Sequence, residues 1–225
     1  MNEKRVIGVI VEGPSDESAI GGILKEYFSS EEVQFAVVHG DITSNYKTEI
    51  DNVVIEIEEL IDGVRRRYGY NWDDFIRIIH ISDTDGAFTN GCVVQADVEN
   101  LQYYTDHIDA RNPEEAEKRN KHKAEIMDKL FGTGKIHGIP YRLFFNSCNL
   151  EHVLYGQLKD FSDNEKDQMS DDFADEYEGK ADKFIEFISD ESFAVPGKYS
   201  DTCKFIEKER NSLKRYSNMH LILEK

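Results

Sequence analysis

The chain has 225 residues, with 45 acidic side chains against 27 Lys and Arg, a formal net charge of −18. That length suits one α/β domain with a sizeable insertion or a helical appendage, and that charge excludes a protein that holds polyanions by bulk positive potential. Its apolar runs are strand-length, far short of a membrane span, and the amino terminus lacks a signal-peptide pattern, so a cytoplasmic protein without membrane contact is expected.

Val6, Ile7, Val9, Ile10 and Val11 form a nearly continuous β-branched run, the pattern of a parallel strand buried on both faces. Glu12 ends it. Gly13 and Pro14 turn the chain, Ser15 is placed to cap a helix, Asp16 and Glu17 suit its positive first turn, and Ile20, Ile23, Leu24, Tyr27 and Phe28 keep helical spacing. A second strand over Val33 to His39 leads through Gly40 and Asp41 to a long helix whose apolar stripe runs from Ile50 to Tyr68. Phe75 to Ile81 reads as a third strand, followed by Ser82-Asp83-Thr84-Asp85-Gly86.

Residues 88–138 break the alternation with polar sequence and a helix from Pro113 to Phe131, and read as an insertion. Tyr141 to Phe145 resumes the sheet, and Asn149 is placed to cap a helix carrying Leu150, Val153, Leu154 and Leu158. The expected architecture is α/β, a doubly wound and mainly parallel sheet over 1–160 with an inserted helical segment, in which ligands bind beyond the carboxyl ends of the strands. Residues 161–225 form an acidic linker and helical tail, with helices around Tyr177 to Ile188 and Asp201 to Tyr216. From Asp160 to Glu191 there are 13 acids and 3 bases, whereas Lys198 to Arg215 has 6 bases and 3 acids, so a local basic face survives the overall acidity. Cys92, Cys148 and Cys203 are scattered and form no CxxC pair, which predicts buried thiols and no zinc site.

Two acidic motifs end expected parallel strands. Asp83 and Asp85 are two residues apart, so extended backbone would point both the same way, and Glu12 at a neighbouring strand end would complete a carboxylate cluster. Mg²⁺ and Mn²⁺ favour such oxygen donors. The bland alternative is an Asp-capped turn beside an exposed glutamate.

The Val-Ile-Val-Glu-Gly of positions 9–13 followed by Ser-Asp-Glu, and the Ile-Ser-Asp-Thr-Asp-Gly of 81–86, resemble the Toprim domain of topoisomerases, primases and nucleases of the OLD and RloB-like kinds, several of which serve in phage defence. The resemblance spans roughly residues 5 to 158. It implies that Glu12 is the general acid or base, that Asp83 and Asp85 hold Mg²⁺, and that Asp16 or Glu17 matches a further acid of the OLD-like group. Ser147-Cys148-Asn149-Leu150-Glu151 resembles a helix-opening motif of small stand-alone Toprim proteins, which makes Glu151 a candidate for a second ion. With Asp16 and Glu151 included, two ions would clamp a scissile phosphodiester. The tyrosine-bearing domain of topoisomerases and the zinc-binding regions of primases find no counterpart, so a nuclease on DNA or RNA is the leading expectation, with a protein partner or self-association left open.

Two other readings stand beside it. An Asp-x-Asp-Gly after an apolar strand also opens haloacid-dehalogenase-like phosphatases, with Asp83 as nucleophile, although that motif belongs on the first strand. A non-catalytic Toprim-like sensor would use the acidic tail as its surface. Lys123, Lys198 and Lys204 are candidate phosphate contacts. Lys118, Arg119 and Lys121 read as a solvated helix face, Arg65 to Arg67 as dipole-complementing cations, and His80 as packed. His39, His137 and His152 show no metal-ligand spacing, and Asp41 would line the site if the second strand lies beside the first.

Overall fold

The computed structural model describes residues 5–37, 42–43, 45, 47–159 and 161–223; His39 and Asp41 lie outside them. The β-branched run forms β1 (Val6–Val11), every residue of which is buried. A strand can be apolar on both faces only in the middle of a layered fold. β1 accordingly pairs in parallel with β2 (Glu32–Val37) on one side and with β3 (Phe75–Asp83) on the other. β3 pairs in parallel with β8 (Ile139–Asn146), and a two-residue strand, β7 (Lys135–Ile136), closes that edge as an antiparallel hairpin. The order is β2-β1-β3-β8-β7, a doubly wound α/β sheet with helices on both faces.

Alternation along the strands divides the core. Val6, Ile10, Ile78 and Phe145 face α2 (Val53–Tyr68) and α3 (Pro113–Phe131), meeting Ile57, Ile61, Ile126 and Leu130. Ile7, Val9, Ile79 and Ile81 face the other way, toward Ile20, Ile23 and Leu24 of α1 (Pro14–Tyr27). At Gly8 a Cβ would stand 3.0 Å from Ile61 Cδ1, so glycine lets α2 lie close on β1.

The structure departs from the sequence reading in four places. Helix α1 begins at Pro14 with Gly13 as its cap residue, and Asp16 rather than Ser15 satisfies the free end by accepting from Gly13 N at 2.9 Å. The insertion is not purely helical: β4 (Val93–Gln95), β5 (Gln102–Tyr103) and β6 (Ile108–Ala110) form a second sheet in the order β4-β6-β5. Strands of two or three residues are too short to show alternation.

The acidic stretch read as a linker is in fact helix α5 (Asp163–Tyr177). It opens on a reciprocal cap between Ser162 and Glu165, buries Phe173 and packs along α1. Helix α6 (Ala181–Ile188) follows, adding Phe184 and Ile188 to the same core. Helix α7 (Tyr199–Ile206) stops well before Tyr216, because Glu209 and Arg210 take positive φ, and the chain continues through short 3₁₀ turns at Asn211–Leu213 and Met219–Leu223. Between these turns the chain runs back to β8: Phe145 N donates to Asn218 Oδ1 at 2.8 Å and Ser147 N to Tyr216 O at 2.8 Å.

Candidate metal centre

The carboxyl ends of β1, β3 and β8 lie side by side. Glu12 follows β1, Asp83 closes β3, and Asn146 closes β8 opposite Asp83. Glu12 Oε1 accepts from Ser82 Oγ at 2.6 Å and from Asp83 N at 3.1 Å, which ties the two strand ends together. Asn146 Nδ2 donates to Asp83 Oδ1 at 3.4 Å.

Asp85 does not continue the strand. Its φ is +43°, in the left-handed region that Asp tolerates better than most residues. The extended register that would have aimed Asp83 and Asp85 the same way therefore ends at Thr84. Asp85 turns toward α3, where its Oδ2 accepts from Lys123 Nζ at 2.8 Å and from Arg119 at 3.0 Å. Lys123, only 1% exposed at its side chain, also stands 3.7 Å from Glu12 Oε1. One buried ammonium thus bridges carboxylates from two strand ends. Arg119 donates in addition to the Tyr103 hydroxyl at 3.3 Å.

A second pair lies beside these. Asp16 is in the first turn of α1, and Glu151 is in the first turn of α4 (Leu150–Tyr155), whose cap is the expected Asn149, accepting from His152 N at 2.8 Å. Lys166 of α5 stands 3.7 Å from Glu151 Oε1 and lines a small cavity together with Asp16 and Glu151. Burial holds the Asp16 carboxyl up at about 6, with the charge of Glu151 adding to the rise. The carboxyl of Asp83 is raised well above its ordinary range, first by burial and then by the charges of Glu12, Asp16, Glu151 and Asp85. Glu12, Asp16, Asp85 and Glu151 therefore all act on Asp83.

The turns that carry them are braced by the tail. Thr84 N donates to Asn146 O and Asp85 N to Cys148 O, both at 2.8 Å; Thr84 Oγ1 donates to Ser212 O at 3.1 Å. Lys198 precedes α7 as its cap residue and Lys204 lies in its last turn; both are exposed, with Lys204 acting on the nearby acid Glu207. The cations brought to the carboxylates are instead Lys123, Arg119 and Lys166.

Arg119, taken as part of a solvated face, was recoverable from its spacing, because residues four apart on a helix face the same side. Lys166 and Ser82 carried no comparable signal. Arg65 and Arg66 pair with Asp62 as helix-end cations, Cys92, Cys148 and Cys203 are buried free thiols, and His80 is buried with its Nδ1 2.8 Å from the Tyr141 hydroxyl.

Among the described residues no three His, Cys, Asp or Glu side chains stand close enough together to hold one metal ion as they are. The donor set nevertheless suits a hard cation: the acidic oxygens outnumber the nearby ammonium and guanidinium groups, and a buried carboxyl at their centre resists ionisation until positive charge is supplied. Comparison of the chain with protein-family models, with curated proteins and with solved structures finds no match. No helix among the described residues is long and apolar enough to cross a membrane.

Proposed function

We propose that the protein is a Mg²⁺- or Mn²⁺-dependent nuclease of the Toprim kind, hydrolysing phosphodiester bonds of DNA or RNA, in a group several of whose members serve in phage defence. The observation that carries the reading is the half-buried Asp83 at the end of β3, whose carboxyl is raised first by loss of water and then by four other carboxylates from the end of β1, the 84–86 turn, α1 and α4. Excess buried negative charge has few stable uses other than holding cations. Asp83 and Asp85 would hold the principal ion, and Asp16 with Glu151 a second. When bound, the metal polarises the phosphoryl oxygens and lowers the pKa of water.

The remaining roles fall to the chain itself. Glu12, oriented by the Ser82 hydroxyl and the Asp83 amide, handles the proton of the hydrolytic water or the leaving group. Arg119 presents positive charge where the phosphodiester enters, Lys123 balances the carboxylates from behind, and Lys166 presents charge from the α5 side. Local cations of this kind let an acidic protein meet a polyanion without a broad basic face.

The test is to incubate the protein with single- and double-stranded DNA, RNA, tRNA and a generic phosphatase substrate under Mg²⁺ or Mn²⁺, beside Glu12→Gln and Asp83→Asn. Polymer cleavage that needs metal and disappears in both variants is the expected result. Phosphatase turnover that survives Glu12→Gln would show Asp83 acting as a nucleophile instead. Absence of both activities and of metal binding would leave a non-catalytic sensor.

A further inference from the structure

The insertion meets the α4–α5 side of the molecule at a recess beside the carboxylates. Leu101 and Tyr103 at β5, Asn149 at the cap of α4, Leu158 and Phe161 between α4 and α5, and Lys166 of α5 line it. The recess is shallow, about 50 Å³, against the roughly 300–1,000 Å³ of sites that enclose a small molecule. A free nucleotide would gain too little contact there to be held. What fits is a single planar group presented by a ligand that is anchored elsewhere.

Two of the lining residues reach the carboxylates. The Tyr103 hydroxyl oxygen accepts from Arg119 at 3.3 Å, and Arg119 donates in turn to Asp85 at 3.0 Å. Burial pushes the Tyr103 hydroxyl up, and the charge of Asp85 adds to the rise, so the polar end of this ring lies within the field of the acid cluster. Lys166 stands 3.7 Å from Glu151 Oε1, and Asn149 caps the helix that carries Glu151. The recess therefore adjoins both the Asp85 side and the Glu151 side of the cluster.

Its surface is aromatic and apolar where the surroundings are charged. Leu101, Tyr103 and Leu158 pack on Ile108, Cys148 and Leu213 yet stay partly exposed. Phe161 is buried behind them, with the Lys159 ammonium 5.1 Å from its ring centroid. Asn149 Oδ1 is taken by His152 N, which leaves its amide N–H groups to donate to the edge of a ring.

Stacking on an aromatic side chain holds unpaired bases with little regard to sequence, because every base has a π-face. A base inside a duplex has both faces covered by its neighbours and must first be unstacked. We infer that this recess is the subsite for an unpaired base adjoining the scissile phosphate, stacked on Tyr103, and that the substrate is accordingly a single strand. The inference rests on the nuclease reading, which puts the phosphodiester at the carboxylates.

Fluorescence anisotropy with Ca²⁺ in place of Mg²⁺ tests it without requiring cleavage. The probes are labelled single-stranded DNA and RNA oligonucleotides and hairpin duplexes of the same sequences. In a second set, aminopurine, whose emission is quenched by stacking, replaces one base at successive positions. The preferred single strand is expected to bind at least about tenfold more tightly than its duplex, the order of one base–aromatic stack, and aminopurine emission at one position to fall on binding. Tyr103→Leu keeps apolar packing on Ile108 and Leu213 but has no ring. It should weaken single-strand binding by about five- to a hundredfold, restore the emission and leave duplex binding unchanged, whereas Tyr103→Phe should behave as wild type. That pattern without cleavage in Mg²⁺ or Mn²⁺ would keep the base subsite and discard the nuclease. Absence of single-strand binding, equal affinity for strand and duplex, unquenched emission at every position, or indifference to Tyr103→Leu would each overturn the inference even where cleavage is seen.

Discussion

Asp83 is held where its ionised form is disfavoured, and the strain of that placement has a measurable sign. Replacing Asp83 by Asn removes a carboxyl whose ionisation is opposed by burial and by four neighbouring charges, so the metal-free protein should become more stable at neutral pH even as metal-dependent cleavage is lost, a trade-off common at functional sites. Thermal melts with chelator, set beside the cleavage assay, check both halves.

Asp16 gives a pH signature. Its folded-state carboxyl titrates at about 6 against an ordinary 3.8, so between these values the native state holds more protons than the unfolded chain, and the Asp16 contribution to stability falls as pH rises through that window. Asp16→Asn should gain about 1–2 kcal/mol over wild type at pH 7 and little at pH 4. Urea titrations at the two pH values read it.

Lys123 is the converse case. Lys123→Met leaves Asp85 and Glu12 without their shared ammonium, expected to cost about 2–3 kcal/mol in chelator. Added Mg²⁺ should raise the melting temperature of this variant more than that of wild type, since the ion then meets more uncompensated charge.

Among the elements, α3 couples the insertion to the carboxylate site. Its Asn120 is buried against the Gly86 turn, where a Cβ would come within 2.3 Å of the amide, and neither amide atom finds a hydrogen-bond partner among the described residues. Gly86→Ala should therefore push α3, with Arg119 and Lys123, away from Asp85 and destabilise by about 1–3 kcal/mol. Asn120→Ala in the same chain should recover most of that loss, because the amide it removes makes no bond; a double-mutant cycle in urea decides it.

Elements buried on both faces were the easiest to read from sequence. β1 appears as a nearly continuous apolar run, β3 as one interrupted only by Arg77 and His80 before its Ser-Asp end, and α1 and α2 as stripes at helical spacing, because burial marks most of their residues. Helix α5 was not legible as a helix, since between Ser162 and Tyr177 it spends few residues on the core and its polar face resembles a linker. The left-handed turn at Asp85, which sends the side chain toward α3 instead of alongside Asp83, has no marker in a stretch that reads equally well as extended.

For the whole molecule, the tail is structural. Phe173, Phe184, Ile188, Phe193, Met219 and Leu221 share one apolar cluster with β1 and α1, so a chain ending at residue 160 should fail to give a cooperative transition, as circular dichroism during urea titration would show. Glu12 and Asp83 were recoverable from sequence because each sits at a strand end, positions that a parallel sheet gathers at one edge, whereas Asp16 and Glu151 entered through the resemblance of their motifs. The long-range partners were not, since nothing local announces that Lys166 docks beside Glu151 or that Ser212 braces Thr84.

That bracing bears on how the protein is made. Ser212, Tyr216, Ser217 and Asn218 are bonded to the Thr84 turn and the end of β8. Synthesis runs from the amino terminus and early segments begin to fold first, yet the acid turns lack these bonds until residues 211–218 have emerged from the ribosome. The acid turns are therefore completed late, once residues 211–218 have folded back onto Thr84 and the end of β8.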